Sequence, residues 1–339
     1  MDRRGFLKTT SAAAVTAGAA SAAEAAAPAI LSGVRQLTLA SYSAGELPGS
    51  GAERLARRIE TATDGRYRIA VAREQAGTNA DLTFGSAWRH ANLHPAYAFF
   101  AGLPFSHGLE ASALQTWLTA GGGAMLWDEL AAEFGFKPLV GGHTSVSAGV
   151  WAAVRLEGVS DLAGASVQAD GLAGDVVRAL GAIPATFAPE DLRATLADGR
   201  LQAAEWLGPL TAPAPDLQPL AQRLYQPGFN RNGLLLSLGV AKPLWNGMNA
   251  ADRAIFEACA AQEYQLSLVD AAAHALIARQ VETPSKWPVR LTLSAGLSEA
   301  LDLAAAEIVE AIAATDPASR RIHDSYQAFR RMLGEPATA

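Results

Sequence analysis

The sequence has one cysteine, little charge and no cluster of basic residues. Because Cys259 is the only cysteine among 339 residues, no disulfide can form within the chain, and we expect a buried structural thiol. Charged residues make up 18% of the chain, and its net charge of −6 comes from interspersed signs. Nucleic-acid binding is therefore not expected, because it needs concentrated positive charge. No apolar run after residue 27 reaches the roughly 18 residues of a membrane-spanning helix.

Common catalytic motifs are also missing. There is no Gly-x-Ser-x-Gly elbow, no P-loop and no His-Glu-x-x-His zinc helix. Ser147, His143 and Glu205 would be the best catalytic candidates, but none lies in an activating motif. His90 and His94 have the spacing of a helical metal-binding pair, but the proline that follows argues against a helix there. We therefore predict that the protein is not an enzyme.

A pattern typical of an export signal lies at the N-terminus. A twin arginine opens the segment Arg3–Lys8, and the uncharged run Thr9–Ala23 follows it. This pattern is typical of a twin-arginine signal, a pathway that exports folded proteins. We predict a signal peptide over residues 1–27 and a periplasmic location. The candidate cleavage positions follow Ala22, Ala23 and Ala27.

Hydrophobic periodicity indicates a β-α-β unit in the first quarter of the chain. Leu37–Ala40 alternates as a strand, Ala52–Ile59 carries apolar residues on one helix face, and Tyr67–Val71 alternates again. Such a unit implies a parallel sheet with helices on its faces.

The same pattern recurs in the middle of the chain. Ser166–Ala169 is a predicted strand, Gly171–Gly174 opens a helix that stops at Gly181, Pro189–Gly199 is a second helix, and Leu201–Trp206 is a strand. Gly171–Gly174 is either a plain tight turn or a helix N-terminus that presents N–H groups to an anion.

The last third of the chain is mostly helical. Asn249–Gln280 predicts one long helix, Val289–Leu293 a strand, and the remainder two helices, of which the second runs from about Pro317 to Leu333. Two α/β regions with a long helix after them indicate a hinged, two-lobed binding protein, with its pocket at strand ends between the lobes.

Several longer motifs together resemble a known family. They are His94–Phe105 (HPAYAFFAGLPF), Trp117–Leu130, Phe134–Pro138, Asp170–Ala182 (DGLAGDVVRALGA) and Ala204–Pro209. Their order and spacing resemble the solute-binding proteins of tripartite ATP-independent periplasmic (TRAP) transporters, nearest the branch that binds 2-oxo acids. The resemblance extends from about Gln36 to Phe329.

The resemblance implies a two-lobed α/β fold with mixed sheets, hinge strands and a long helix that bridges the lobes. Lobe 1 would comprise 36–146 and about 240–286, and lobe 2 would comprise 147–239 and about 287–333, with 334–339 as a frayed tail. The lobes would close on a small organic acid and deliver it to small and large membrane subunits for sodium-coupled uptake. Whether the protein forms a homodimer through a C-terminal helix stays open, because the helical region 297–333 is compatible with one but does not predict it.

The chain departs from the family at the ligand site. Gln168 stands where relatives have an arginine that grips the substrate carboxylate, and Ser147 replaces a glutamine that helps to hold a cation. Glu205 and Trp206, the other parts of that cation site, remain, so Na⁺ or Ca²⁺ bound with the ligand stays open and no other cofactor is expected. The short connection Ala72–Ala80 lacks a helix that relatives have, which would expose an edge of lobe 1.

An arginine elsewhere would then have to supply the missing positive charge. We predict Arg231 for this role, with Arg89 as the second choice, because a carboxylate in a dry cleft needs a positive partner. The polar contacts are predicted to come from Gln168, Ser147, Glu205 and Asn232. The apolar walls are predicted to come from Trp88, Tyr97, Phe100, Trp151 and Trp206. Two alternatives stay open: a neutral or weakly charged solute, and a periplasmic accessory or sensor protein with the same fold.

Overall fold

The computed structural model describes six stretches of the chain. They are residues 33–41, 51–73, 80–187, 191–205, 221–281 and 289–334. The predicted signal peptide and Trp206 lie outside these stretches.

The strands belong to two sheets. They are β1 (Arg35–Ser41), β2 (Tyr67–Arg73), β3 (Leu82–Ser86), β4 (Phe136–His143), β5 (Val150–Ala152), β6 (Ser166–Gln168), β7 (Ile183–Ala185), β8 (Ala203–Glu205), β9 (Arg223–Gln226), β10 (Leu235–Ala241) and β11 (Val289–Thr292). The first sheet has the order β2-β1-β3-β10-β4, and the second has the order β11-β9-β5-β8-β6-β7. Both sheets are mixed, because parallel and antiparallel pairs occur in each.

Helices cover the sheets and join their strands. They are α1 (Gly51–Ala62), α2 (Tyr97–Ala101), α3 (Ala111–Thr119), α4 (Gly123–Glu133), α5 (Leu172–Ala179), α6 (Leu192–Ala197), α7 (Lys242–Asn246), α8 (Ala250–Val281), α9 (Ala295–Ala313) and α10 (Pro317–Met332). Short 3-10 turns lie at Ala87–His90, Phe105–His107 and Val159–Asp161. None of the helices in the described stretches is long and apolar enough to cross a membrane.

The predicted β-α-β unit of the first sheet is confirmed. Strand β1 pairs in parallel with β2 and β3. Helix α1 buries Ala52, Leu55, Ala56 and Ile59, the apolar face that the sequence marks. These side chains pack with Cys259, which is buried as expected. Strand β2 is an edge of the first sheet, next to the shortened connection.

The predicted elements of the second sheet and the C-terminal helices are also confirmed. Strand β6 pairs in parallel with β7 and β8, so their carboxyl ends lie at one edge of the sheet. Helix α8 is 32 residues long, and α9 and α10 follow β11. Helix α9 packs against α5, whereas α10 packs against α2 and α4. How the chain divides between two lobes stays a prediction.

Two segments that join the sheets lie side by side. The segment 144–149 leads from β4 to β5, and the segment 227–234 leads from β9 to β10. Thr144 and Leu234 join them twice, because the Thr144 N–H donates to the Leu234 carbonyl (2.9 Å) and the Leu234 N–H donates to the Thr144 Oγ1 (2.8 Å). The Ser147 N–H also donates to the Arg231 carbonyl (3.3 Å). These contacts hold both segments next to the ends of β6 and β8.

Candidate functional site

The candidate site is built where β6 and β8 end beside the joining segments. Gln168 is the last residue of β6 and Glu205 the last residue of β8. Glu205 lies opposite Val150 of β5, which brings Ser147 within reach of its carboxylate. The fold thus brings together two of the predicted polar site residues, Ser147 and Glu205. Gln168 ends the neighbouring strand opposite Ala204, so its side chain lies on the other face of the sheet from Glu205.

The Glu205 carboxylate is the centre of this cluster and is only 1% exposed. Its Oε1 accepts from the Ser147 hydroxyl (2.7 Å) and from the Asn230 N–H (2.8 Å). Its Oε2 accepts from the Asn230 Nδ2 (2.8 Å). Gly228 makes room for this arrangement, because a Cβ there would lie 2.2 Å from the Ser147 Oγ and 2.4 Å from the Glu205 Oε1.

Burial raises the pKa of Glu205 to about 7, although its three hydrogen bonds act in the opposite direction. The nearby Asp170 carboxylate raises the pKa of Glu205 further. Within the described stretches, no lysine, arginine or histidine forms an ion pair with Glu205. Ionising this carboxyl therefore opposes folding, because the charge is taken out of water without a positive partner.

This raised pKa predicts a pH-dependent stability. The folded state binds the Glu205 proton more tightly than the unfolded state, so stability falls as pH rises from about 4.5 through about 7. The shift corresponds to about 3 kcal/mol. Glu205→Gln removes the titration, so the stability of this variant relative to wild type should rise by that amount between pH 5 and pH 8.

Urea unfolding of both proteins at the two pH values measures this difference. Wild type and Glu205→Gln have to be compared because other groups also make stability depend on pH. Burial lowers the pKa values of His90 and His143 to about 4, and these groups reduce the stability of both proteins as pH falls. The same difference between wild type and variant at both pH values would contradict the prediction.

Two charged groups near the cluster act on each other without forming an ion pair. Asp170 directly follows the pair Gln168–Ala169, and the residue keeps contact with solvent although protein atoms surround its carboxyl. Its pKa is raised because the surrounding protein disfavours the ionised carboxyl, while the positive charge of Arg89 lowers the pKa. Arg89 belongs to the 3-10 turn after β3 of the first sheet, so charges carried by different sheets interact here.

Gln168 keeps donors available at the same edge. It is 6% exposed, and its Oε1 accepts from the Phe187 N–H (3.1 Å). Its Nε2 forms no hydrogen bond with any residue of the described stretches. An amide in this orientation can donate hydrogen bonds to a carboxylate or carbonyl oxygen without supplying a charge.

Two other predicted polar residues lie in the joining segment 227–234. Arg231 is partly exposed, and its charge contributes to lowering the pKa of His107. The Asn232 Nδ2 donates to the Gly108 carbonyl (2.6 Å). Both residues therefore contact or influence the 107–108 region of the chain.

The structure gives several predicted wall residues a packing role. Phe100 is fully buried and stacks on Trp117 and Trp127, with ring centroids 5.5 and 5.2 Å away. Tyr97 is fully buried in the same core, and Trp151 is fully buried between the second sheet and α6. Trp88 is only partly buried against the core. Aromatic residues in a sequence do not indicate whether they face a core or a cleft.

The sequence analysis did not predict that Asn230 and Asp170 lie at the candidate site. Asn230 is 1% exposed and donates to the Asp170 carbonyl (2.8 Å) as well as to Glu205. Three consecutive polar residues before a glycine, Asn230–Asn232, were the available signal. Nothing in that run distinguishes the residue that turns inward, because its partners lie 25 and 60 residues away in sequence.

The histidines and acids provide no further metal centre in the part of the chain that is described. No group of three His, Cys, Asp or Glu side chains there is arranged to hold a metal ion. His90 stacks on Phe136 (4.6 Å between ring centroids), and His94 pairs with Asp316 (3.0 Å). The His143 Nδ1 accepts from the Ser145 N–H (2.9 Å), so this nitrogen is not a partner of the Ser147 hydroxyl.

Comparison with known proteins identifies the family of this chain. Residues 40–312 match the model of the bacterial extracellular solute-binding protein family 7, DctP. A monocarboxylate 2-oxoacid-binding periplasmic protein of Nostoc sp. is 28% identical over 298 residues, which cover 84% of this chain and 80% of that protein.

Solved structures share the fold. A TRAP transporter solute-binding protein of Bordetella bronchiseptica, with calcium and picolinate, is 21% identical with a TM-score of 0.80, and the match covers 88% of this chain and 92% of that one. One of Colwellia psychrerythraea, with calcium and pyruvate, is 22% identical with a TM-score of 0.78, covering 88% and 95%. One of Pseudoalteromonas atlantica, with sodium and pyruvate, has the same identity and TM-score, covering 88% and 94%. These structures confirm the predicted two-lobed α/β fold class.

Proposed function

Because the chain belongs to the bacterial extracellular solute-binding protein family 7, we propose that it captures a small organic acid in the periplasm for a TRAP transporter. The solute class is a 2-oxo acid or a related monocarboxylate, and it binds at the edge formed by Gln168, Ser147 and Glu205. The observation that carries this proposal is the buried Glu205 cluster, which lies at strand ends beside both segments that join the sheets. A solute there contacts both sides of a hinge and stabilises the closed form by its greater affinity for it.

Relatives support the solute class and the partners. The Nostoc protein binds monocarboxylate 2-oxo acids by its name, and two structural neighbours hold pyruvate. We infer small and large membrane subunits as partners, and export through the twin-arginine segment Arg3–Lys8. A homodimer stays open, since the Bordetella protein crystallised as a dimer. We infer binding without catalysis, because the Ser147 hydroxyl donates to Glu205 and His143 is turned to Ser145.

Arg89 is the better candidate for the positive charge that Gln168 does not supply. Its charge acts on Asp170, two residues beyond Gln168, whereas the charge of Arg231 acts on His107. A guanidinium whose charge reaches Asp170 is placed to act on a solute carboxylate at this edge, which arginine can bind through two parallel hydrogen bonds. We therefore assign Arg89 rather than Arg231 to the solute.

A cation with the solute has less support from the contacts of this chain. Calcium and sodium accompany the ligands of relatives. Here, three of the lone-pair directions of Glu205 already accept protein hydrogen bonds, and Ser147 occupies one of them. One lone-pair direction, on Oε2, is left for a cation, so coordination through both oxygens of Glu205 would have to displace a donor. The part of this site that involves Trp206 lies outside the described stretches.

A neutral solute is the second candidate, and Gln168 is the observation that favours it. The free Nε2 of Gln168 donates equally well to an amide or polyol oxygen as to a carboxylate. The two candidates predict different roles for Arg89, because only an acid requires its charge.

Thermal shift and calorimetry with 2-oxo acids, hydroxy acids, amides and polyols test the proposal. We expect a rise in Tm with small monocarboxylates, and a solute at 100 times its Kd should add about 2.7 kcal/mol of stability. Arg89→Ala should weaken carboxylate binding by roughly tenfold to a hundredfold, and Arg231→Ala by less than about threefold. Binding of neutral solutes alone, with Arg89→Ala unaffected, would establish the second candidate instead.

A further inference from the structure

One polar atom next to the site has no partner among the residues that the structure describes. The Asn230 side chain is buried, and its Oδ1 accepts no hydrogen bond from any of these residues. Its orientation is fixed by the other end of the amide, because Nδ2 donates to the Asp170 carbonyl and to the Glu205 Oε2, each at 2.8 Å. Exchanging the amide oxygen and nitrogen would place Oδ1 against two acceptors. The Oδ1 therefore points away from Glu205 and needs a donor from elsewhere.

The direction in which Oδ1 points is towards the start of helix α5. Oδ1 lies 3.7 Å from the position that a Cβ on Gly171 would occupy. Gly171 is the N-cap residue of α5, and no side chain caps the helix there. The first N–H groups of a helix have no intrahelical acceptor and carry a partial positive charge, so they favour an anionic group.

These two features together specify a ligand. The helix start favours a carboxylate, and the adjacent Oδ1 requires an N–H or O–H donor. A small acid with a hydroxyl or ammonium group on the carbon next to its carboxylate presents both groups close together. A bound cation fits Oδ1 less well, because the N-terminus of α5 repels positive charge that has no accompanying anion.

We propose that Asn230 selects, among the small carboxylates of the proposed function, those that carry a hydrogen-bond donor at the 2-position. The proposal rests on that function and narrows its solute class from 2-oxo acids and related monocarboxylates to those related monocarboxylates that carry such a donor. A 2-oxo or unsubstituted acid leaves Oδ1 without a donor in the closed cleft, and an unpaired buried acceptor penalises closure. A site built to accept a hydrogen bond from its substrate strongly rejects the analogue that lacks the donor.

The charges that face this position come from both sheets. Asp170 and Glu205 contribute acidic groups, and Arg89 contributes a positive charge. A 2-ammonium group would gain from the Asp170 carboxylate, whereas a 2-hydroxyl group would not. Comparing the two donors therefore separates recognition by Oδ1 alone from recognition that also uses Asp170.

The test is calorimetry on the purified full chain with two matched sets of acids. One set is lactate, alanine, pyruvate and propionate, and the other holds the corresponding 2-hydroxy, 2-amino, 2-oxo and unsubstituted forms of isovalerate, with both enantiomers where they exist. In wild type, at least one 2-hydroxy or 2-amino acid should bind roughly tenfold or more tightly than its 2-oxo and unsubstituted counterparts. Each titration is repeated with Na⁺ and with Ca²⁺.

The variant Asn230→Ala should reduce that preference to within about threefold. Asn249→Ala is the matched control, since Asn249 bonds with Asp252 at the start of α8 and should leave the preference unchanged. If Asn230→Ala fails to fold, the preference of the wild-type protein for acids with a 2-position donor still tests the proposal. Carboxylates that bind with no advantage for a 2-position donor overturn this inference alone. A preference that appears only with added cation also overturns it. Failure of every acid in both sets to bind overturns the proposed function as well.

Discussion

Gly233→Ala is expected to prevent stable folding. A Cβ at this position would lie 1.9 Å from the Ser145 carbonyl oxygen and 2.9 Å from the His143 Cε1. The backbone φ of Gly233 is +76°, a region that disfavours residues with a side chain. Relief would require movement of 143–145, one of the two adjacent segments that join the sheets. We expect a loss of more than about 4 kcal/mol, measured as the free energy of unfolding in urea.

Gly65→Ala is the matched control for backbone strain. Gly65 has a φ of +70°, but no atom lies within 4 Å of its Cβ position. This variant should lose only about 1–2 kcal/mol, which is the cost of the left-handed conformation by itself. Equal losses in the two variants would mean that the close approach of the joining segments contributes little.

Glu205→Ala should abolish solute binding and destabilise the protein by about 3 kcal/mol near pH 5. The change leaves the Ser147 hydroxyl, the Asn230 backbone N–H and one Nδ2 hydrogen of Asn230 without an acceptor in a buried position. Unpaired buried donors are costly, and Asn230 keeps only one of the two contacts that orient its amide, the one to the Asp170 carbonyl. Calorimetry with the tightest-binding acid and urea unfolding measure the two effects.

Glu263→Ala separates loss of function from loss of stability. Glu263 is fully buried in α8, where it pairs with Arg54 and Arg58 of α1, away from the candidate site. Its removal should also destabilise the fold but should leave the Kd for the solute unchanged. If Glu205→Ala retained wild-type affinity, Glu205 would have only a structural role and the proposed site would be wrong.

Local patterns in the sequence predicted most of the secondary structure. The spacing of apolar residues identified the buried face of α1, and the alternation of apolar and polar residues located β1 and β2. The long helix α8 was also predicted within a residue or two of its limits. These predictions succeed because side-chain periodicity depends on the local geometry of a helix or strand.

The candidate site was predicted only in part. Gln168, Ser147 and Glu205 were identified through motif order. Ser147 and Glu205 do meet, whereas Gln168 ends the neighbouring strand β6 without contacting either. Asn230 was missed, and Tyr97 and Phe100 were assigned to cleft walls although they pack in a core. A sequence gives residue types and spacing, but the direction of a side chain in an irregular segment depends on distant partners.

The sequence by itself determined the family and the α/β class, because each depends on residue identity and order. The tertiary structure decided which groups face one another. It brought Arg89 to act on Asp170 and closed three donors onto Glu205. It also left the Asn230 Oδ1 without a donor among the residues that the structure describes. Hydrogen bonding and burial depend on distances of a few ångströms between residues far apart in the chain, and only the folded chain sets those distances.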